Sequence, residues 1–504
     1  MRKIPVTMAT QHPDNSRAPY FGNSPFVSAS EEIEECFRCF SELGVQEYMW
    51  DWEGKFVDEA VIDRMFQDYY DFFKKHPLGK ELFLTFRIPN IWEEPSHRLP
   101  RAFINLISAE HAARQMKMSE KPLFEVILPM TKRADQLIYL QKKFSKIIKA
   151  SNDMFDAESS FDVLNIIPLF EEVGTMAEAD GILEEYIGFL QKEFKHKPEY
   201  LRVFLARSDP AMDAGLLPCM LAVKSAISSY HAFGEKHGIA IHPWIGGGSL
   251  PFRGGINPEN IDAVLEEYKG LSSVTVQSAF RYDYDKDQVI GAIKRLNNEI
   301  PKIQNNYRRI TSIEAKRIKS FNEQAKKFYQ ASVESIAPLI NRIASKIPSH
   351  RERVQHVGLS GYFRGMGKVT LPRAIKFTGS LYSIGVPPEF IGLGRALQQA
   401  QKDGMLELID DIYKNLRRDI LHAGHYLNRD NLELLIAQNP DWELIKKDIA
   451  LAEKILGIKV GPDKTNHMIH KNLSSNIYYG IISEENTDTK GDILRAANIR
   501  KSLG

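Results

Sequence analysis

FDVLNIIPLFEE, residues 161–172, is followed by YLRVFLARSD at 200–209 and by GIAIHPWIGGG at 238–248. Each is a strand-length apolar run rich in β-branched or aromatic residues, and each stops at acids, an arginine or glycines. Four further runs share the rhythm: GVQEYMWDWEG from Gly44, LFLTFRIPN from Leu82, LFEVILPM from Leu123 and SVTVQSAFR from Ser273. The seven starts are separated by 38, 41, 38, 39, 38 and 35 residues. Between the runs the pattern turns helical, as at 59–74 and 261–268. Strand, helix and strand at this step are what a parallel sheet needs, because parallel neighbours require a long crossover. A later stretch, AIKFTGSLYSIG at 374–385, supplies an eighth strand candidate. The pattern predicts an α/β fold, a (β/α)8 TIM-type barrel with large additional α-helical insertions. Chemistry in such barrels sits at the C-terminal strand ends.

Composition sets outer bounds. The 504 residues carry a formal net charge of +1, with 43% hydrophobic and 26% charged residues. That balance fits a soluble globular chain and gives no global attraction to nucleic acid or anionic membrane. An anion site must therefore be a local cluster of Arg and Lys. The three cysteines include a CxxC, Cys36 and Cys39, inside EEIEECFRCFSELG. With no second pair present, a buried helix face is favoured over a metal or redox centre. The low cysteine count, the lack of a signal segment and the lack of an 18-residue apolar run lead to the expectation of a cytoplasmic protein.

The chain reads as a single catalytic domain, 1–504. Barrel strands fall at about 44–283 and 374–385, a helical insertion at about 285–350 and C-terminal helices at about 396–504. Residues 1–30, with four prolines, read as a strand-poor arm. The charged insertion mixes acids with bases, so a solvated helical hairpin is favoured over a nucleic-acid arm.

Several constellations can carry chemistry. The fourth run ends at Glu171 and the fifth at Asp209. Adjacent parallel strands lie about 4.8 Å apart, so both carboxylates could share a hard divalent cation such as Mg²⁺ or Mn²⁺. Equally, Asp209 could cap the helix that follows, with Pro210 in its first turn. GGGSLPFRGG, Gly246–Gly255, puts five glycines and Arg253 in ten residues. Such a backbone can approach an anion closely, and Arg253 can bind phosphate or carboxylate bidentately. FRGMGK (363–368) and Arg373 add positive charge, as do Arg87, Arg133, Arg207 and Arg281 near strand ends. Singly these are ordinary surface arginines; together they indicate a polyanionic substrate. His12, in TMATQHPDN, reads alone as an exposed or structural residue of a turn.

Taken together, these motifs resemble those of the phosphoenolpyruvate carboxylase family, in its short archaeal-type form. IPVTMATQHPDN is similar to that group's opening signature, and TQHPDN to the TAHPTE of the larger enzymes. PLFE resembles PLFET, and SDPAMDAG resembles SDSxKDAG. HPWIGGGSLPFRGG is similar to HGRGGSxGRGG, and LPRAIKFTGSLYSIG to LRAIPWxFAWTQ. The similarity runs in order over roughly residues 4–400. It implies irreversible carboxylation of phosphoenolpyruvate with bicarbonate to oxaloacetate and phosphate, through carboxyphosphate and a metal-held enolate, as anaplerotic carbon fixation.

The resemblance also assigns residues. His12 falls on the catalytic histidine, Arg253 on the loop arginine and Arg373 on a catalytic arginine. Glu171 and Asp209 fall on the two ligands of Mg²⁺ or Mn²⁺. Arg133, Arg364, Arg281, Gly247, Gly248 and Gly254 fall on substrate-binding positions, and Gln277 lies in the same stretch as Arg281. The Gly246–Gly255 loop is expected to act as a mobile lid. A cytoplasmic, allosteric homotetramer acting on small molecules is implied, with no nucleic acid or membrane partner. Three departures stand out: Met212 replaces the family lysine, Gly246 replaces the first loop arginine, and SLG replaces the QNTG tail. Arg207 or Lys368 is the expected substitute for the missing charge. Two other readings remain at this stage. One is an aldolase-type barrel lyase that does not need bicarbonate. The other is a non-catalytic metabolite-binding protein on an enzyme scaffold, a reading that Met212 favours.

Overall fold

The computed structural model describes all residues except 1, 12–15, 23, 25, 54–56, 94–96, 156–158, 349–351, 354–363, 367–368 and 484–487. Eight strands close a parallel barrel. They are β1 (Thr7–Thr10), β2 (Glu47–Asp51), β3 (Phe83–Arg87), β4 (Glu125–Leu128), β5 (Asn165–Phe170), β6 (Tyr200–Ala206), β7 (Ala240–Gly246) and β8 (Ser273–Val276). Each pairs with its sequence neighbours. Closure is made by β8 on β1, with Thr7 opposite Val274 and Ala9 opposite Val276.

All seven apolar runs form strands, β2 to β8. The remaining strand is not the one expected. Residues 374–385 do not enter the barrel: Ala374–Ser383 is an α-helix. Its apolar residues Phe377 and Leu381 and the capping residue Ile384 are buried and recur at helical spacing, and Pro372 precedes the helix. The eighth position is filled from the N-terminal arm instead. PVTMAT is short, but Val6, Thr7 and Thr10 are β-branched, and all four residues of β1 are buried. The arm is thus the first strand of the barrel.

Alternation of side chains sorts the barrel into two layers. Met8, Met49, Ile127, Ile167, Leu169, Phe204, Ala206 and Trp244 pack together inside. Phe204 stacks on Trp244 with ring centroids 3.9 Å apart. Their neighbours, such as Tyr48, Trp50, Val126, Phe170 and Leu205, join the larger core beneath the helices. The N-terminal mouth is plugged by charge. Arg202 donates to Glu47 at 2.6 Å and to Glu125 at 3.0 Å, with all three side chains buried. Burial works against the Glu125 carboxylate, but Arg2 and Arg202 hold its pKa below the ordinary value. Breaking a buried pair of this kind costs about 3–5 kcal/mol, so this end serves stability.

The insertion contains helices Lys286–Ile303 and Ser312–Ala344, the second with a Thr311/Glu314 capping box. Seven further α-helices, from Leu393–Lys402 to Thr489–Ile499, form the C-terminal part among the described residues. Cys36 and Cys39 lie on the buried face of helix Ala29–Ser41, unbridged. Among the described residues, no helix is long and apolar enough to cross a membrane.

Candidate active site

The same alternation that fills the barrel aims its C-terminal residues inward. On β2 the series Glu47, Met49 ends at Asp51; on β3, Thr85 is followed by Arg87; on β5, Ile167 and Leu169 are followed by Glu171. Asp51 and Arg87 are directly paired across the sheet. Arg87 donates to both Asp51 oxygens, at 2.8 and 2.6 Å, and lies 2.7 Å from Glu53. Burial disfavours its charge, yet Asp51 and Glu53 outweigh it and raise its pKa well above the ordinary value. Arg87 therefore stays cationic at this rim. Glu53 also faces Arg373, at 4.0 Å. Arg373 is the N-cap residue of helix Ala374–Ser383 and is partly open to solvent.

Glu171 follows β5 and Asp209 follows β6, strands paired through Leu169–Phe204 and Phe170–Leu205. Glu171 is buried and accepts the Met130 N–H at 2.8 Å. Asp209 lies in the first turn of helix Ser208–Ala214 and is half-buried. Adjacent strand ends thus present two hard oxygen donors, a donor set that fits Mg²⁺ or Mn²⁺ rather than a soft metal.

The glycine-rich loop is a folded turn. Gly248 N–H donates to the Arg253 carbonyl at 2.8 Å, and Ile256 N–H to the Gly248 carbonyl at 2.9 Å. Pro251–Arg253 forms a 3₁₀ turn whose Phe252 N–H is accepted by Glu389 at 2.8 Å. The residues from Gly247 to Arg253 are nearly all buried. In this conformation the loop is packed onto the barrel, not extended as a lid. The glycines have specific reasons. A Cβ at Gly248 would lie 2.8 Å from the Arg253 guanidinium carbon, and one at Gly247 would lie 2.9 Å from the Arg253 carbonyl. Gly254 has φ of +126°, a conformation side chains resist.

This turn delivers Arg253 to the rim. Its Nε donates to Ser208 Oγ at 3.1 Å, one nitrogen donates to Gln277 at 2.8 Å, and the other to the main-chain oxygen of Gly504. Ends of β6, β7 and β8 meet on one guanidinium, 4% exposed. Three charge-assisted bonds, each worth about 1.5–3 kcal/mol, fix its orientation.

Other expected residues fall elsewhere. Arg281 is fully buried, ion-paired with Glu35 at 2.9 Å and donating to the Thr10 carbonyl at 3.1 Å. It ties the β1 and β8 ends to helix Ala29–Ser41 and does not face an open site. Arg133 is 63% exposed and bidentate to Asp135. Arg364 lies in strand Arg364–Met366, paired antiparallel with Val369–Leu371. His12 and Lys368 lie outside the described residues; Gln11, the neighbour of His12, is buried and its side-chain oxygen accepts the Asp51 N–H at 3.0 Å. Met212 is buried. Arg207 is also buried, with contacts to Cys219 Sγ at 2.6 Å and Tyr268 at 3.3 Å. It braces the loop from below, with a further contact to the Pro251 carbonyl at 3.4 Å. Of these residues the sequence singled out Arg87, but not its partners Asp51 and Glu53, nor Ser208. The inward parity of EYMWD and LFLTFR carries that signal.

A closed parallel barrel with paired carboxylates and oriented arginines on its C-terminal rim defines a TIM-barrel enzyme that handles anions. A model of the phosphoenolpyruvate carboxylase family matches residues 4–504. The phosphoenolpyruvate carboxylase of Oenococcus oeni is 42% identical, covering 100% of this chain and 99% of that protein. That of Leuconostoc mesenteroides is 41% identical over 94% of each, and that of Metallosphaera sedula 36% identical over 100% of each. The chain belongs to the phosphoenolpyruvate carboxylase family.

Proposed function

We propose that this chain, working as one catalytic domain, carboxylates phosphoenolpyruvate with bicarbonate to give oxaloacetate and inorganic phosphate. The observation that carries the reading is the placement of Arg253. It bonds to Ser208, next to Asp209, and to Gln277, on the same rim as Glu171, in a chain that matches the family over its length.

The substrate carries a phosphate and a carboxylate, so it needs fixed positive charge. Arg253 and Arg373 supply it, with Arg133 and Arg364 as further contacts. Glu171 and Asp209 would hold the divalent cation, Mg²⁺ or Mn²⁺, which when bound supplies positive charge against developing oxyanions. A bicarbonate oxygen attacks phosphorus, and the bond from phosphorus to the enol oxygen breaks with its electron pair staying on that oxygen. The products are carboxyphosphate and the enolate of pyruvate. Arg253, held on three sides, stabilises charge on the transferring phosphoryl group. His12 then takes the proton of carboxyphosphate, which separates into CO₂ and phosphate. The enolate carbon attacks CO₂ and forms the new carbon–carbon bond. Water at the enolate would give pyruvate instead, so the packed turn around Arg253 also acts by exclusion.

Gly247, Gly248 and Gly254 contribute backbone space rather than chemistry. A homotetramer in the cytoplasm, with allosteric control, completes the reading. The direct test couples product to malate dehydrogenase and follows NADH. Oxidation that requires both phosphoenolpyruvate and bicarbonate supports the reading. Phosphate release at the same rate without bicarbonate would favour a lyase that does not carboxylate.

A further inference from the structure

Far along the chain from the rim residues, three groups converge in the C-terminal helices. His425 caps helix Leu416–Gly424, His467 lies in the first turn of helix Thr465–Ile482, and Asp463 lies in the loop before that helix. Asp463 Oδ1 is 2.5 Å from His467 Nδ1, and Oδ2 is 3.5 Å from His425 Nε2. The imidazoles stack with centroids 4.4 Å apart and planes 15° apart. One nitrogen from each histidine and one carboxylate oxygen all lie within 4.8 Å of one another.

We propose that His425, Asp463 and His467 form a binding site for a divalent transition-metal ion of the zinc type, separate from the cation of the catalytic rim. Two imidazole nitrogens and one carboxylate suit Zn²⁺, Co²⁺ or Ni²⁺, whereas Mg²⁺ prefers an all-oxygen shell. Ligand atoms around a tetrahedral zinc lie about 3.3 Å apart, given bonds of about 2.0–2.1 Å. The 3.5 Å separation already meets this, and the 2.5 Å contact opens by a small rotation of Asp463, whose side chain is 54% exposed. That exposure leaves the fourth position to water. His467 is the most enclosed ligand, at 12%. Lys464, next to Asp463 in sequence, opposes a cation there, so the site binds through inner-sphere bonds rather than long-range attraction. Its effect is mechanical: one ion fastens the end of one helix to the start of another, with helices Arg429–Gln438 and Glu443–Leu456 between them in sequence.

Calorimetric titration of the full chain with Zn²⁺ in excess Mg²⁺ tests this, with Co²⁺ absorption as the second readout. The wild type binds one equivalent of Zn²⁺, gains thermal stability, and shows the intense visible bands of tetrahedral Co²⁺. Asp463→Asn, a substitution at an exposed carboxylate that cannot disturb the core, and His467→Ala each weaken binding by at least about tenfold. Asp209→Asn leaves Zn²⁺ affinity unchanged. Affinity unchanged in Asp463→Asn, affinity lost in Asp209→Asn, or no Zn²⁺ binding by the wild type would each overturn the proposal.

Discussion

At the residue scale the account turns on charges held in place. Arg87 and Arg253 are both buried cations, but with different neighbours. Arg87 is neutralised by Asp51 and Glu53, whereas Arg253 donates hydrogen bonds to a serine, a glutamine and a main-chain oxygen. The second environment fixes the orientation of a guanidinium, which is what an oxyanion-stabilising group requires. Arg253→Ala is therefore expected to lose both phosphate release and oxaloacetate formation, by about 10²-fold or more, the scale of a lost oxyanion donor. His12→Asn is expected to separate the two products: phosphate release remains measurable while oxaloacetate falls sharply. Equal residual rates of both products in His12→Asn would remove the base from its role. Gly248→Ala tests positioning alone. Its new methyl would press on the Arg253 guanidinium at 2.8 Å. Rate should drop at nearly unchanged melting temperature, whereas a full rate would show that the guanidinium has room to shift.

At the element scale the packed turn depends on what lies beneath it. Glu389 accepts from Phe252 N–H at 2.8 Å and from Tyr382 at 2.7 Å. Burial pushes its pKa up from 4.5 to about 7, only partly opposed by these donors. A carboxyl with a raised folded pKa contributes stability that is fully present below the unfolded value, near 4.5, and is lost as pH rises through about 7. Glu389→Gln should remove this component, so the melting temperature should change less between those two pH values than in the wild type. An identical pH profile would contradict it. Elements also mark where sequence was legible. β2 to β8 announced themselves because each is an apolar run at a regular step, most of them ended by charge or glycine. β1 did not, because a strand of only four residues, Thr7–Thr10, makes too short a signal. Yet Val6 precedes Gly44 by 38 residues, the same step as the later repeats. Residues 374–383 misled in the opposite sense. Ile, Phe, Thr and Tyr favour strands, but Phe377 and Leu381 share one helical face, and the glycine between them faces the carbonyl of Leu503, 2.6 Å from where a Cβ would stand. Tertiary packing against the chain end decides that element, and a local pattern does not contain it.

At the scale of the whole molecule the barrel has two unlike mouths. Arg202, Glu47 and Glu125 seal one with mutually satisfied charge, and the other gathers Glu171, Asp209, Arg253 and Arg373. Because β1 belongs to the barrel, Thr10 and Gln11 stand at a strand end on this same rim, where Gln11 accepts the Asp51 N–H. Arg281 and Arg207 each join layers beneath the rim through partners that local sequence does not reveal, Glu35 and Thr10 for the one, Cys219 and Tyr268 for the other. The central claim is that phosphoryl transfer from phosphoenolpyruvate to bicarbonate and carbon–carbon bond formation occur in one site. Turnover with freshly dissolved ¹⁸O-labelled bicarbonate tests it most directly, by mass analysis of the phosphate. Attack by bicarbonate oxygen on phosphorus leaves one labelled oxygen in each phosphate released, with the other two in oxaloacetate. Unlabelled phosphate from labelled bicarbonate would show that water or another group attacks phosphorus, and would contradict the account.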